Sequence, residues 1–413
     1  MARIVLNNAN LLDGDRPARQ ANIVVADDRI ETVSEAPAEV GPDDRVVDLG
    51  GRTVMPGMIQ GHFHAGYWGT GASGRPVGLE VHPSLQAVRA TANVRTAIEC
   101  GYTGAISAGS PHAIDAALKA AIEEGTIVGP RLIAGSRDVG STGFSADHSY
   151  PSYMQLGTTP GVSTGDGPDG IRRAVREEIK DGAEIVKLFV TGGHATIGSG
   201  ERWEISREEF AAAVQAANER GAWTRGHIAS AEATLLAIEL GVRIVDHGDG
   251  LNGECIDRLV ETGTFLAPSM LFPKWVMQAM AGNSWADAMK PDWDAMAEIL
   301  PKANAAGVRL LVGDDFGAFG LGHGDYWQEF ELYVNEVGIP ALDVIRWATK
   351  HGAEAMGIGD ETGTIEPGKL ADLIVLDGDP VADVALFRDR AKLLAVMKGG
   401  ALIKDTLPEG EKR

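Results

Sequence analysis

The amino-acid sequence predicts an α/β protein, a (β/α)₈ TIM barrel with a small β-sandwich domain built from both termini. Eight short apolar runs recur along the middle of the chain, and helical spacing follows most of them. Short β-rich segments stand at both ends of the chain. Metal-competent side chains fall at the C-terminal ends of several apolar runs, the ends that meet at one mouth of a barrel.

The two ends of the chain show the pattern of short strands. Val and Ile alternate with polar residues in RIVLNNANLLD, ANIVVADDRIETV and DRVVDLGGRTVMPG, with turn residues between them. GTIEPGKLADLIVLDGDP and AKLLAVMKGGALI repeat the pattern near the other end. Since neither piece is large enough to fold alone, we expect residues 1–56 and 362–413 to pair as one accessory β-sandwich domain.

In residues 57–361, apolar strands alternate with amphipathic helices, which is typical of a parallel sheet covered by helices. The predicted strands are 57–64, 103–109, 130–136, 184–190, 222–227, 243–248, 264–270 and 308–315. Eight strand–helix units favour a barrel, although a doubly wound sheet gives a similar string. The long connections 65–83, 137–169 and 271–288 are expected to be functional.

Composition excludes several functional classes. The 37 Lys and Arg against 58 Asp and Glu give a net charge of −21, which disfavours a nucleic-acid partner. With only Cys100 and Cys255, a disulfide framework or thiolate metal site is excluded and a reducing compartment is indicated. No apolar run suits a signal peptide or a membrane span. We therefore expect a cytoplasmic protein without a membrane partner.

Four histidines at strand ends are candidate metal ligands. His62 and His64 alternate in GHFH, so both side chains point to the same side, and two fixed imidazoles suit a divalent metal. An HxH triplet is also a common chance event in a chain with ten histidines. His227 and His247 each end an apolar run, and either one alone could be a core or helix-capping histidine.

Lys187 and Asp315 complete the set of strand-end candidates. Lys187 lies in the apolar run EIVKLFV, where an unpaired buried ammonium is costly. It could pair with a carboxylate such as Asp315, or, beside metal ligands, be neutral or converted to an anion. Asp314 and Asp315 are adjacent and point to opposite sides, so only one faces the mouth. Asp314 could instead hold the loop or cap the following turn.

Taken together, PGMIQGHFH, EIVKLFVTGG, GHIAS, VDHG, LLVGDD and GTIEPGKLADLIVLDGD resemble the amidohydrolase superfamily. Within it, the chain is most similar to the branch of imidazolonepropionase-like proteins, Xaa-Pro dipeptidases and ochratoxin amidases. The resemblance spans nearly the whole chain. It implies a barrel, a β-sandwich from both termini, and two divalent metal ions, usually zinc.

The resemblance also implies a role for each strand-end residue. His62 and His64 would bind the more buried metal, and His227 and His247 the other. A Lys187 carboxylated by carbon dioxide would bridge the two ions. Asp315 matches the Asp of the family's Gly-Thr-Asp motif, as metal ligand and as general base and acid, although Asp314 departs from the motif's Thr.

The implied reaction is hydrolysis of a C–N bond, in an N-acyl amino acid, dipeptide or aryl amide. A metal-bridging hydroxide would attack the carbonyl, and Asp315 would pass the proton to the leaving nitrogen. Lactams, cyclic amidines, carbamates and ureas are alternative substrates, as is deamination, although the superfamily's deaminases usually lack the bridging lysine. A non-catalytic structural relative is disfavoured because all six ligand-type residues are retained.

Substrate identity depends on loops beyond the strand ends. The candidate substrate-binding residues there are Tyr67, Trp68, His148, His194, Arg202 and His323. Any of them could equally be an ordinary surface or loop-packing residue. Aromatic side chains with an arginine suit a substrate with a hydrophobic acyl group. We expect a small-molecule substrate and a homo-oligomeric assembly.

Overall fold

The protein's structure is a computed structural model that describes residues 3–72, 75, 78–147, 161–194, 196 and 199–408. Its strands are β1 (Ile4–Leu11), β2 (Arg19–Ala26), β3 (Arg29–Ser34), β4 (Arg45–Asp48), β5 (Thr53–Pro56), β6 (Met58–Phe63), β7 (Tyr102–Ser107), β8 (Arg131–Ile133), β9 (Gly135–Gly140), β10 (Val162–Thr164), β11 (Ile185–Phe189), β12 (Trp223–Ile228), β13 (Ile244–His247), β14 (Phe265–Ala267), β15 (Arg309–Leu310), β16 (Leu373–Leu376), β17 (Leu393–Lys398) and β18 (Ala401–Asp405).

The α-helices are α1 (Pro83–Glu99), α2 (Ile114–Glu123), α3 (Gly167–Lys180), α4 (Arg207–Asn218), α5 (Ala231–Leu240), α6 (Gly253–Thr262), α7 (Leu271–Ala279), α8 (Ser284–Asp287), α9 (Lys290–Ala306), α10 (Trp327–Glu331), α11 (Ala341–Arg346) and α12 (Gly352–Ala355). Wider π-helical turns span Leu332–Glu336 and Trp347–His351, and 3₁₀ turns span Pro111–Ala113 and Val384–Arg388. Within the described ranges, no helix is long and apolar enough to cross a lipid bilayer.

Strands from both ends of the chain lie in one hydrogen-bonded sheet. Its order is β18-β17-β16-β5-β1-β2-β3, with β4 also beside β1. The pairing of β1 with β2 shifts between Leu6 and Ala9, where Asn8 has a left-handed φ of 56°. This bulge lets β1 pair with β4 before it and with β5 after it. The strands share a core that includes Leu6, Ile23, Val54, Leu373 and Met397.

The parallel strands between the two ends follow one another in sequence order, except that β10 lies beside β9 on the side away from β11. One sheet runs β6-β7-β8, and a second runs β10-β9-β11-β12-β13-β14-β15. Only Ala134 separates β8 from β9, so the third predicted strand takes part in both sheets. Past β15, the carbonyl of Val312 accepts a hydrogen bond of 2.7 Å from the amide of Gly61 in β6. The last strand segment is therefore hydrogen-bonded back to the first.

A glycine makes this last contact possible. A Cβ atom on Gly61 would lie 2.7 Å from the Cβ atom of Leu311 and 2.9 Å from the carbonyl oxygen of Val312. Only a residue without a side chain lets the two backbones approach this closely. Gly61 immediately precedes His62, so the same contact fixes where the histidine pair begins.

The predicted helices are present, but the connection predicted for 271–288 is wrong. The structure places α7 and α8 in that segment. The carboxylate of Asp314 accepts hydrogen bonds from the amides of Leu271 (2.8 Å) and Phe272 (3.2 Å) and so caps the start of α7. A helix capped by a residue so distant in sequence leaves no local signal at its N-terminus.

Candidate metal centre

The strand-end residues predicted to bind metal surround one cavity of about 450 Å³. His64, Lys187, His227, His247 and Asp315 line it. His62 lies directly behind His64, with 1% of its surface exposed. The C-terminal ends of β6, β12 and β13, the middle of β11 and the segment after β15 bring the six residues together.

His62, His64 and Asp315 form the tightest cluster. The Nε2 atoms of the two histidines are 3.2 Å apart, and the Oδ1 atom of Asp315 lies 3.3 Å and 3.1 Å from them. His62 Nδ1 lies 3.1 Å from Asp246 Oδ1, and His64 Nδ1 lies 3.0 Å from the Gly109 carbonyl oxygen. Because these oxygens only accept, both Nδ1 atoms carry a proton, and in a neutral ring each Nε2 atom then presents a lone pair.

Three lone-pair atoms therefore face one another without a hydrogen atom between them. This arrangement is repulsive unless a cation lies among them, and imidazole nitrogen with carboxylate oxygen is a donor set that zinc binds. His62, His64 and Asp315 could hold a metal ion. The geometry thus fits the metal that the sequence predicts at this position.

His227 and His247 lie on the other side of the cavity, with ring centroids 4.4 Å apart. Burial lowers the pKa of both imidazoles well below the usual range, and nearby cationic groups lower it further, so both are neutral. His227 Nε2 lies 3.3 Å from the carbonyl oxygen of Gly193, which leaves Nδ1 as its lone pair. Buried His247 Nδ1 has no hydrogen-bond partner among the described residues, so it too is available to a ligand.

Lys187 projects into the cavity, and its partner is Asp246 rather than the suggested Asp315. Lys187 Nζ donates to Asp246 Oδ2 at 2.8 Å. Arg225 also donates, through Nε at 2.9 Å to the same oxygen and through Nη2 to Oδ1. His62 also bonds to Asp246, so Lys187, Arg225 and His62 all converge on one fully buried carboxylate.

The adjacent aspartates have separate positions. Asp315 reaches the cavity and the histidine pair, whereas Asp314 is fully buried behind it and caps α7. Burial and the neighbouring Asp315 raise the pKa of Asp314 to about 7. Strand alternation predicts that only one of the two aspartates faces the cavity, and Asp314 is the one that holds the loop.

Sequence reasoning missed Arg225, Asp246 and Asp138, which also lie at the centre. Arg225 stands two residues before His227 on β12, so strand alternation could have placed it on the same face. Asp246 immediately precedes His247 and should face the opposite way. Both point inward because His247 has a φ of 73°, a left-handed backbone that the sequence does not reveal.

Two of the predicted substrate residues, Tyr67 and His194, line the cavity. The Tyr67 ring stacks on His64 with centroids 4.1 Å apart. His194 is engaged at both nitrogens, with Nδ1 3.0 Å from Asp249 Oδ2 and Nε2 3.1 Å from the Ser269 carbonyl oxygen. Burial lowers its pKa, but Asp249 outweighs burial and the net pKa is raised. With both N–H groups occupied, His194 forms a wall of the cavity.

The other predicted substrate residues lie elsewhere. Trp68 is 51% exposed and lies beside Arg89, and Arg202 pairs with Glu204 at 3.3 Å. His323 Nε2 lies 3.2 Å from the His64 carbonyl oxygen, so it supports the backbone of that ligand from outside the cavity. His148 lies outside the described residues. Four apolar side chains that were not predicted also line the cavity, namely Phe189, Phe272, Trp285 and Phe319.

The chain is similar to several known proteins over nearly its whole length. Ochratoxinase from Aspergillus niger is 25% identical over 430 residues, which cover 98% of this chain and 87% of that protein. Imidazolonepropionase from Rubrobacter xylanophilus is 24% identical over 411 residues, which cover 93% of this chain and 91% of that protein. A solved structure of a Xaa-Pro dipeptidase with bound methionine in the active site matches with a TM-score of 0.87 and 28% identity, over 98% of this chain and all of that one. The profile of the Amidohydrolase family matches residues 53–403, so this chain belongs to the amidohydrolase family.

Proposed function

We propose that the protein hydrolyses an amide C–N bond with the help of two divalent metal ions, in an N-acyl amino acid, dipeptide or aryl amide. The observation that carries this proposal is the convergence of His62 Nε2, His64 Nε2 and Asp315 Oδ1 at the wall of a substrate-sized cavity. The proposal includes a closed (β/α)₈ barrel over residues 57–361 and an accessory domain from 1–56 and 362–413. The hydrogen bond from Gly61 to Val312 and the shared terminal sheet support that division.

Five residues would hold the ions with unmodified side chains. His62, His64 and Asp315 offer one set of donors, and the Nδ1 atoms of His227 and His247 offer a second. Neutral imidazoles and a carboxylate are ligands of zinc, which we propose as the ion.

Lys187, carboxylated at Nζ, would bridge the two sets. Its present partner supports this, because Arg225 binds both oxygens of Asp246 and would balance that charge if the lysine lost its own. A carboxylated Nζ keeps one N–H, which is enough to preserve the 2.8 Å hydrogen bond to Asp246 Oδ2.

When bound, the two ions would lower the pKa of a water molecule toward neutrality and polarise the scissile carbonyl. Asp315 accepts the proton at a carboxylate oxygen and delivers it to the leaving nitrogen, since it is the carboxylate beside the histidine pair that opens to the cavity. Asp314 is unsuited to this role because backbone amides occupy its oxygens. The aromatic wall formed by Phe189, Phe272, Trp285 and Phe319 excludes water and suits an apolar part of the substrate.

A hydrolysis screen of the zinc-loaded protein tests this function. The panel contains N-acyl amino acids, Xaa-Pro dipeptides, aryl amides, lactams, cyclic amidines, carbamates and ureas. We expect turnover of amides by the wild type and by the control Asp169→Asn, whose side chain is 99% exposed on α3, and none by Asp315→Asn. Turnover confined to lactams, cyclic amidines, carbamates or ureas, or an active Asp315→Asn, would contradict the proposal.

A further inference from the structure

The carboxylate of Asp138 is an acidic group at the cavity that the proposed mechanism does not use. Asp138 lies on β9, next to β11, and its Cα atom pairs with that of Lys187. Its side chain lines the cavity together with His64, Lys187 and Asp315. Arg137, the preceding residue, faces the opposite way and pairs with Glu178 at 2.6 Å. Strand alternation thus directs Arg137 outward and Asp138 toward the cavity.

The surrounding structure leaves room for this carboxylate without neutralising it. A Cβ atom on Gly109, whose φ is 144°, would lie 2.8 Å from Asp138 Oδ1, so glycine at that position clears the space. Among the described residues, no side chain or backbone amide donates a hydrogen bond to the Asp138 carboxylate. Burial raises its pKa to about 7, Lys187 opposes the shift and Asp315 adds to it. An acidic group without a donor beside a cavity is costly unless a ligand supplies the cation.

The nearby cationic groups already have partners. Lys187 Nζ donates to Asp246, and the Arg225 guanidinium donates to Asp246 and to the carbonyl of Ser107 at 2.8 Å. Asp315, the other acidic residue lining the cavity, lies with His62 and His64. Arg75, the other cationic residue of the cavity wall, donates to the carbonyl of Glu80 at 3.1 Å, so no cationic side chain of the described residues is hydrogen-bonded to Asp138.

We propose that Asp138 is a specificity-determining residue that binds a cationic amino group of the substrate. The α-ammonium of a peptide lies one carbon atom from the scissile carbonyl, so its acceptor must lie on the wall beside the ligand cluster, where Asp138 is. The inference rests on the proposed amide hydrolysis and narrows it to substrates whose acyl part carries a free α-amino group.

Three amides that differ only in the substituent on the carbon atom next to the scissile carbonyl test this inference. Alanyl-phenylalanine carries the ammonium, lactyl-phenylalanine carries a hydroxyl in its place, and propionyl-phenylalanine carries hydrogen. Because a hydrogen bond between charged groups is strong, the wild-type kcat/KM should favour alanyl- over propionyl-phenylalanine by about tenfold to a hundredfold. In Asp138→Asn this preference should collapse, and Asp138→Glu should retain part of the preference.

The outcomes separate this inference from the proposed function. Equal loss of turnover on all three amides in Asp138→Asn, with metal content unchanged, would show a role in the chemical step and overturn the inference. So would an unchanged preference in that variant. If the wild type cleaves none of the three, amide hydrolysis of this class fails, and the amides then serve as stable ligands for calorimetry. Tighter wild-type binding of alanyl- than propionyl-phenylalanine, lost in Asp138→Asn, would still support the inference, and equal binding would overturn it.

Discussion

Replacing Arg225 with methionine should destabilise the protein and weaken its metal site at the same time. Arg225 is fully buried and donates to both oxygens of Asp246 and to the carbonyl of Ser107. Methionine fills similar space but offers no donor. In protein without metal, where Lys187 is an unmodified ammonium, Asp246 would keep Lys187 as a cationic partner, and the Ser107 carbonyl would lose a strong donor.

The expected loss follows from these contacts. Removing one partner of a buried ion pair costs about 3–5 kcal/mol, because the remaining charge stays buried without compensation. The remaining bond from Lys187 places the estimate toward the lower end, about 3 kcal/mol. Asp246 also accepts the Nδ1–H of His62, so metal affinity should fall by about tenfold to a hundredfold, as for other residues that orient a ligating histidine.

Urea denaturation of the metal-free protein at neutral pH measures the first effect, and competition with a zinc chelator measures the second. Arg95→Met is the matched control, because Arg95 and Glu99 form an exposed ion pair on α1. The free energy of unfolding of this variant should fall by less than about 0.5 kcal/mol. The double variant Arg225→Met/Asp246→Asn should recover part of the stability, since the buried charge is then gone. Equal losses for Arg225→Met and Arg95→Met would refute the reasoning.

Three further predictions concern single residues. His247→Ala should lose metal and activity but keep its circular dichroism spectrum, because the stability of the fold rests on the strand core, and global unfolding would indicate a structural role instead. Lys187→Ala should lose metal and turnover, with a short carboxylic acid restoring part of the rate, whereas Lys187→Arg should stay inactive because a guanidinium remains cationic beside the ions. Asp115 is buried, and burial raises its pKa to about 6, opposed by Ser107, Ser110 and Gly135. The folded protein thus binds a proton at Asp115 more tightly than the unfolded protein does. As the pH rises from about 4 to about 6, the free energy of unfolding of the wild type should therefore fall by about 3 kcal/mol relative to that of Asp115→Asn, measured in urea titrations. A difference that does not vary with pH would contradict this.

Strand periodicity was enough to predict the positions of most candidate ligands. His62 and His64 share a face because they alternate on β6, and Lys187 stands out because the rest of its strand is apolar. The resemblance to the amidohydrolase family is confirmed by the family match over residues 53–403. These signals are local, so a single sequence contains them.

The groups that hold the ligands in place could not be predicted in the same way. Asp246 and His247 both point inward only because of a left-handed backbone at His247, which breaks the alternation rule. Asp314 caps α7, which lies far from it in sequence, so neither end of that contact shows a pattern. Asp138 joins the cavity through the pairing of β9 with β11, which places it beside Lys187, a residue distant in sequence.

The metal content of the active protein, measured together with its amide hydrolysis during stepwise chelation, tests the central claim most directly. We predict two divalent ions per chain, a loss of activity that parallels the loss of metal, and recovery on adding zinc. Amide hydrolysis that continues at the full rate in protein stripped of metal would contradict the account.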